Sequence, residues 1–279
     1  MAVTPTRGSK MRRRGFAVAI ASATGVAVAA VTLLSPAQAI APGASLNPTV
    51  TASAASAGPT KGQLRKARNS RVFFGHQSVG WNIIDGMNAL YAARGLAAPN
   101  QFEGSAGLPA GGVFAHEGIG SNGAPNSKIN DFAGKIRAGA GDDVRVAFMK
   151  LCYVDFGPGS HPKSVFKKYR RTIKALSSEY PGVAFLHVTA PLTTNDPASN
   201  VVRQKYNALI RRAYAGTGRL FDLAKVESTR PNGTRVVGHR GGKRYFALYG
   251  GYASDEGHLN AAGSRRASRA MLRVIATAT

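Results

Sequence analysis

One stretch of the chain combines the features of a strand, a tight turn and a helix: Arg71-Val72-Phe73-Phe74-Gly75-His76-Gln77-Ser78-Val79-Gly80. Its first residues are mostly apolar and end at a glycine, which predicts a short buried strand. A helix is predicted from Val79 to Gly95, because large apolar residues then recur at every third or fourth position: Trp81, Ile84, Met87, Leu90 and Tyr91. Ser78 lies in the turn between the two elements.

The same alternation of strand and helix continues along the chain. Apolar runs predict strands over 144–149, 183–188 and 220–223, and amphipathic patterns predict helices over 130–138, 162–180, 201–215 and after Asn260. The strands are apolar throughout, as in a parallel sheet that helices cover on both faces. We therefore predict an α/β fold, a three-layer α/β/α sandwich with a mostly parallel central sheet. Residues 104–127 and 228–254 are predicted to be loops.

A second stretch, near the end of the chain, pairs an acid with a histidine: Ser254-Asp255-Glu256-Gly257-His258-Leu259-Asn260. A serine hydroxyl needs an adjacent base to act as a nucleophile, and histidine suits that role. Asp255, three residues before His258, is placed to orient the imidazole. Because sites in parallel sheets form at the carboxyl ends of the strands, we expect Ser78 to meet His258 at that edge.

The composition limits the possible partners. Lys and Arg number 37 and Asp and Glu 13, so the formal charge is +24, which predicts attraction to polyanions. No nucleic-acid recognition motif accompanies the charge, so specific nucleic-acid binding is not expected. A solvated basic surface is favoured over a defined polyanion groove, and outside the cell anionic cell-envelope polymers are the more available polyanionic partner. One cysteine, Cys152, excludes an internal disulfide, and no histidine spacing matches a zinc motif, so we predict no metal and no cofactor.

The first 39 residues have the pattern of a secretory signal peptide. A basic segment is followed by an apolar segment and then by a small-x-small cleavage site, Ala37-Gln38-Ala39. We expect export by the Sec or twin-arginine route, cleavage after Ala39, and a secreted, extracellular monomer that is not held in a membrane. Residues 40–60 lack aromatic residues. A disordered linker is therefore predicted over residues 40–66 and a catalytic domain over residues 67–279.

The two end motifs resemble those of the SGNH, or GDSL-type, hydrolase superfamily, which has a serine after the first strand and an Asp-x-x-His near the carboxyl terminus. The resemblance implies a flavodoxin-like strand order and a serine esterase or deacylase that acts on an ester of a small molecule or carbohydrate. It implies that Ser78 is the nucleophile, His258 the base and Asp255 its partner. Gly120 and Asn122 are the candidate oxyanion-hole donors.

The chain departs from the pattern of that superfamily in two places. Its serine follows Gly75-His76-Gln77 rather than Gly-Asp, and the asparagine expected after the third strand is replaced by the sequence Lys150-Leu151-Cys152-Tyr153-Val154-Asp155. Either Asn122, Lys150 or Tyr153 substitutes as an oxyanion donor, or the oxyanion hole is weak. We predict His76, Lys150, Tyr153 and Asp155 as substrate-pocket residues.

Each of these residues also has a purely structural interpretation. Ser78 would cap the first helix, and Asp255 and His258 would support the start of the last one. His76 would lie in a turn, Lys150, Tyr153 and Asp155 would form a local ion pair, and Cys152 would fill the core. Two other functions stay open: a catalytically silent protein of the same fold that binds cell-wall polyanions, and an O-acyltransferase that uses the same residues.

Overall fold

The computed structural model describes residues 58–279. The predicted signal peptide and most of the predicted linker lie outside these residues. The strands are β1 (Arg71–His76), β2 (Asn100–Glu103), β3 (Val113–Gly118), β4 (Val146–Met149), β5 (Ala184–Val188), β6 (Leu220–Phe221), β7 (Val237–Arg240) and β8 (Lys243–Phe246). The helices are α1 (Lys61–Asn69), α2 (Val79–Ala92), α3 (Pro125–Lys135), α4 (Gly141–Asp143), α5 (Pro162–Glu179), α6 (Pro197–Tyr214), α7 (Leu223–Ser228) and α8 (Ala261–Ala278).

Six strands form one sheet in the order β2-β3-β1-β4-β5-β6, and all of its pairings are parallel. Successive strand residues face opposite sides, so Phe74 packs with α1, α2 and α8, whereas Phe73 packs with α3, α5 and α6. The predicted three-layer α/β fold is confirmed. Apart from the edge strand β2, the strand order is the predicted flavodoxin-like one.

Two strands of the sheet lie in segments that show little sequence signal for a strand. β3 falls inside the predicted loop 104–127, because His116 and Glu117 interrupt its apolar run although Val113, Phe114 and Ala115 are buried. β2 is a polar edge strand that pairs only with β3 in this part of the chain. The predicted loop 228–254 was also wrong in part, because it contains the antiparallel hairpin of β7 and β8.

The predicted linker boundary was wrong, because α1 already begins at Lys61. Thr60 and Gln63 form a reciprocal capping box at its start, and Leu64 is buried against the sheet. α3 and α6 also begin several residues earlier than predicted. Each has proline in its first turn, where the ring fits the helix and the absent N–H is not needed.

Close contact between α2 and α8 brings together an early and a late segment of the chain. A Cβ atom on Gly86 of α2 would lie 2.3 Å from the backbone of Ser264 on α8, so only glycine allows this approach. Ser268 of α8 donates a hydrogen bond to the carbonyl of Ile83. Asn260 caps α8, accepting hydrogen bonds from the N–H groups of Ala262 and Gly263, and α8 follows Asn260 as predicted. None of the helices among residues 58–279 has the length and apolar character needed to cross a membrane.

Candidate active site

Ser78 occupies the sharp turn between β1 and α2. Its backbone has φ 52° and ψ −113°, and it is the only non-glycine residue with positive φ among residues 58–279. Such conformations are strained and tend to occur at functional sites. The side chain makes no capping hydrogen bond to α2, so the capping interpretation is wrong. Instead, Ser78 Oγ lies 2.5 Å from Nε2 of His258.

The sequence of this turn allows the serine to be presented in that way. A Cβ on Gly80 would lie 2.3 Å from Nδ1 of His76, so the start of α2 can cross the end of β1 only at a glycine. Gly75 is less crowded, because a Cβ atom there would lie 3.0 Å from the side chains of Ile119 and Phe132. The two glycines on either side of Ser78 therefore set the path of the turn.

Asp255 orients His258. Its Oδ2 lies 2.7 Å from His258 Nδ1, and its Oδ1 accepts hydrogen bonds from the N–H groups of Gly257 and His258 at 2.8 and 2.7 Å. These two N–H groups are the main reason that the pKa of Asp255 is lowered to about 2. An ionised Asp255 favours the tautomer with hydrogen on Nδ1, which leaves Nε2 to accept the hydroxyl hydrogen of Ser78.

The loop that carries His258 is held to α2 by a residue that the sequence analysis did not single out. Asn82, four residues after Ser78 on α2, accepts a hydrogen bond from the N–H of Leu259 at 3.1 Å. Within the loop, the N–H of Ser254 donates to the carbonyl of His258 at 3.0 Å. The helical spacing of four residues places Asn82 and Ser78 on one face, and this was the available sequence signal.

The structure corrects one oxyanion-hole prediction. The N–H of Gly120 already donates to Oδ2 of Asp131 at 2.8 Å, so it is not available to a substrate. The N–H groups of Ser78 and Val79, at the start of α2, donate to no acceptor within residues 58–279. Free N–H groups at a helix start favour developing negative charge, so these two are better donor candidates.

Asn122 stays a candidate donor, and a buried ion pair determines its orientation. Its Oδ1 accepts from Nζ of Lys128 at 2.9 Å, which leaves the amide N–H groups directed away from the lysine. Lys128 also binds Asp155 at 2.8 Å, and both side chains are fully buried. Asp155 in turn accepts from the N–H groups of Gly123 and Cys152. Asp155 is therefore a structural residue under the site, and its prediction as a pocket residue was wrong.

Two other predicted pocket residues are also buried. Lys150 is inaccessible and donates to Sγ of Cys152 at 3.4 Å; burial lowers its pKa. His76 is an inaccessible strand residue rather than a turn residue, with Nε2 3.3 Å from Nδ1 of His116. Burial, followed by the charge of Lys150, lowers the pKa of His76 to about 3, so the ring is neutral. Neither residue reaches a substrate, and both predictions are corrected.

Tyr153 is the predicted pocket residue that does border the triad. Its ring is 5.8 Å from the imidazole of His258 in an edge-to-face arrangement, and it is half-buried. Arg203, a buried residue that the sequence analysis missed, donates to the carbonyl of Tyr153 at 2.9 Å and to Oγ1 of Thr193 at 2.7 Å. A lone arginine in a helical pattern predicts a position that faces solvent. The sequence therefore held no signal that Arg203 would be buried next to Tyr153.

The triad lies at an open surface. The side chains of His258 and Asp255 are 34% and 57% exposed. Two surface grooves with volumes of about 540 and 620 Å³ lie elsewhere and include no triad residue. Among residues 58–279, no group of three or more His, Cys, Asp or Glu side chains is arranged to hold a metal ion. The site therefore presents a Ser-His-Asp arrangement that is partly exposed at the surface.

No protein-family model and no curated protein sequence matches this chain. Similar solved structures include a member of the lipolytic protein G-D-S-L family from Veillonella parvula, at 14% identity over 72% of this chain and 94% of that one, with a TM-score of 0.45. A catalytic mutant of an acetylxylan esterase from Geobacillus stearothermophilus is similar at 14% identity, over 74% and 94% of the two chains, with a TM-score of 0.40.

A structure of a peptidoglycan O-acetylesterase is similar at 15% identity, over 59% of this chain and 46% of that one, with a TM-score of 0.40. A member of the lipolytic protein G-D-S-L family is thus among the solved structures that are similar to this chain.

Proposed function

We propose that this protein is a serine esterase or deacylase. The observation that supports the proposal is the continuous hydrogen-bond chain from Ser78 Oγ through His258 to Asp255, with distances of 2.5 and 2.7 Å. Hydrogen-bond contact between nucleophile and base, with a third group that orients the base, is the requirement for an activated serine.

In the proposed reaction, Ser78 Oγ attacks the ester carbonyl carbon while His258 Nε2 takes the hydroxyl proton. The N–H groups of Ser78 and Val79 bind the oxyanion, and Asp255 stabilises the charged imidazole. His258 then gives the proton to the departing alkoxide oxygen. Water, activated by His258, cleaves the acyl-serine and releases the acid. If a sugar hydroxyl took the place of water, the same residues would perform acyl transfer.

Fluorophosphonate labelling with peptide mapping tests this proposal. We expect stoichiometric labelling at Ser78, and hydrolysis of p-nitrophenyl acetate that falls at least about a thousandfold in Ser78→Ala, since loss of a triad serine removes most of the rate enhancement. Ser177→Ala, an exposed serine on α5, is the matched control and should hydrolyse at the wild-type rate. Equal rates in wild type and Ser78→Ala would exclude Ser78 from the mechanism.

The hairpin of β7 and β8 favours a second function, binding of an anionic polymer. Between Glu227 and Asp255 the chain contains no acidic residue, and Arg240, Lys243 and Arg244 are exposed on the hairpin. None of these three side chains forms an ion pair within residues 58–279. An exposed single-sign cluster attracts anionic groups.

The base of the hairpin adjoins the catalytic loop. The N–H of Leu248, just after β8, donates to the carbonyl of Thr193. Thr194, which follows Thr193, donates its N–H to the carbonyl of Glu256 in the loop that carries His258. A polymer bound along the hairpin would therefore extend toward the triad. We propose an anionic cell-envelope polysaccharide as the partner, since a polymer that serves an esterase must bear acyl esters, which nucleic acids lack.

Retention on an immobilised uronic-acid polysaccharide tests the second function. We expect the triple variant Arg240→Gln, Lys243→Gln, Arg244→Gln to elute at clearly lower salt than wild type. The matched control is Arg170→Gln, Arg171→Gln, Lys174→Gln, which removes the same charges from the exposed face of α5. An equal shift in both variants would indicate a general charge effect and contradict a hairpin site.

We also propose that the protein is exported through residues 1–39. The support is the sequence pattern alone, a basic segment, an apolar segment and Ala37-Gln38-Ala39. Amino-terminal sequencing of protein recovered from the medium should give Ile40 as the first residue. Recovery of the protein only inside the cell, with an uncleaved amino terminus, would contradict export.

A further inference from the structure

Trp81 is the only tryptophan of the chain, and it is 43% exposed beside the nucleophile. Its apolar character and helical spacing predict a buried position on α2, and the structure corrects that prediction. The backbone N–H of Trp81 donates to the carbonyl of Ser78 at 2.8 Å, so Trp81 lies in the first turn after the serine. Its position is therefore set by the same turn that presents Ser78 Oγ.

Two buried histidines hold the indole in place. The Trp81 ring meets the rings of His76 and His116 at centroid distances of 5.1 and 4.9 Å, with interplanar angles of 87° and 84°. Because both histidines are buried in the sheet, the indole rests on a rigid support. A side chain that is already ordered loses little conformational entropy when a ligand binds.

The indole offers a flat apolar surface with one free polar group. Its N–H forms no hydrogen bond within residues 58–279. Tryptophan combines an apolar body with a hydrogen-bond donor, and buried examples usually find a partner for that donor. A sugar ring has the complementary chemistry, because it presents an apolar C–H face surrounded by hydroxyl groups.

A long acyl chain fits the surroundings less well. Within residues 58–279 the exposed large hydrophobic residues are Trp81, Val154 and Val237, which provide no extended apolar surface for a lipid tail. Exposed Asp85 follows Trp81 by one helical turn, so the rim of the platform is polar. Carboxylates at such a rim accept hydrogen bonds from sugar hydroxyls.

We propose that Trp81 is a carbohydrate-stacking platform that holds the sugar ring bearing the ester next to Ser78. This inference rests on the proposed esterase function and specifies its substrate as an O-acylated carbohydrate. Pairs of aromatic side chains gain roughly 0.5–1.5 kcal/mol beyond their buried area. A similar gain for a sugar ring on the indole converts to a factor of up to about ten in affinity. Trp81 is thus expected to determine specificity rather than to take part in the chemistry.

Tryptophan fluorescence tests the contact directly, because all tryptophan emission comes from position 81. In the Ser78→Ala protein, which cannot turn the ligand over, titration with partially O-acetylated xylo-oligosaccharides and with 6-O-acetylglucose should give a saturable change in emission with at least one of them. Absence of a change with both probes, at concentrations where the wild type hydrolyses them, would overturn the platform. This binding test does not require catalytic activity from the variant.

Substrate preference provides the second test. We expect Trp81→Ala to lower kcat/KM for the acetylated oligosaccharide about tenfold more than kcat/KM for p-nitrophenyl acetate, mainly through KM. Trp81→Phe should restore most of that ratio. Equal losses for both substrates would show that Trp81 only supports α2 and would overturn the proposal. If the wild type hydrolyses neither ester, the esterase function fails, whereas a saturable emission change would still support the sugar contact.

Discussion

The side-chain oxygen of Asn82 lies 3.1 Å from the backbone nitrogen of Leu259 and accepts its hydrogen bond. Asn82 follows Ser78 by one turn of α2, and Leu259 follows His258 directly. One hydrogen bond therefore connects the helix that follows Ser78 with the loop that carries His258. Relative placement of these two groups determines whether the proton can be transferred at Ser78.

Loss of this connection should slow the chemistry without weakening substrate binding. We expect Asn82→Ala to lower kcat about ten- to a hundredfold with little change in KM, because small misplacements of reacting groups cost up to about that factor. Asn82→Asp keeps an acceptor oxygen for the N–H of Leu259 and should restore most of the rate. Steady-state kinetics with p-nitrophenyl acetate gives both constants. A rise in KM alone would contradict the assigned role.

The buried pair of Lys128 and Asp155 should contribute strongly to stability. Lys128→Met leaves the Asp155 carboxylate without its charged partner, and breaking a buried pair on one side costs about 3–5 kcal/mol. Lys135→Met, on the same helix, removes a partly exposed partner of Glu117 and should cost about 1 kcal/mol or less. Urea unfolding measures both values. Similar losses of unfolding free energy in the two variants would mean that the buried ion pair contributes no more to stability than the partly exposed one.

Two glycines in helices should respond to alanine in opposite directions. Gly86→Ala places a Cβ 2.3 Å from the backbone of Ser264 and should force α2 and α8 apart, lowering the unfolding free energy. Gly134→Ala, in α3, meets no atom within 4 Å and should raise it by about 0.5–1 kcal/mol through helix propensity. Thermal unfolding of both variants checks the signs. A neutral Gly86→Ala would show that the helices separate at no cost.

Glu227 should make stability depend on pH. It is fully buried, its Oε2 accepts from the N–H of Leu192 at 2.7 Å, and burial raises its pKa to about 8 from an ordinary value of 4.5. Because the folded state binds this proton more tightly, the stabilisation is complete below pH 4.5 and decreases as pH rises to about 8. The unfolding free energy of wild type should therefore fall across this window relative to Glu227→Gln, and parallel pH profiles would contradict the raised pKa.

Periodicity predicted the layers of the fold because most strands are apolar runs and most helices carry an apolar stripe. Periodicity did not predict β2 and β3. β2, at the sheet edge, is mostly polar, and β3 is polar at its carboxyl end. The two end motifs identified Ser78, Asp255 and His258, which the structure brings together. A serine after a predicted strand, together with an acid and a histidine before a predicted helix, was sufficient to select these three residues.

Residue type alone did not separate accessible polar groups from buried ones. Lys150 and Asp155 follow β4 and were expected in the pocket, yet both are buried: Lys150 donates to Sγ of neighbouring Cys152, and Asp155 pairs with Lys128 on α3. Lys128 precedes the helix predicted over 130–138, and nothing in the sequence around it indicated that it would be buried. Burial of a charge depends on which side chains meet it after folding, and that information is spread over elements far apart in the chain.

The 180 residues that separate Ser78 from His258 have a consequence for biosynthesis. During translation Ser78 leaves the ribosome long before His258, so an incomplete chain has the serine without the imidazole that contacts it. For the proposed function this means that a polypeptide that stops before residue 255 lacks the base that would activate Ser78. The Ser78–His258 contact can form only once α8 has docked on α2.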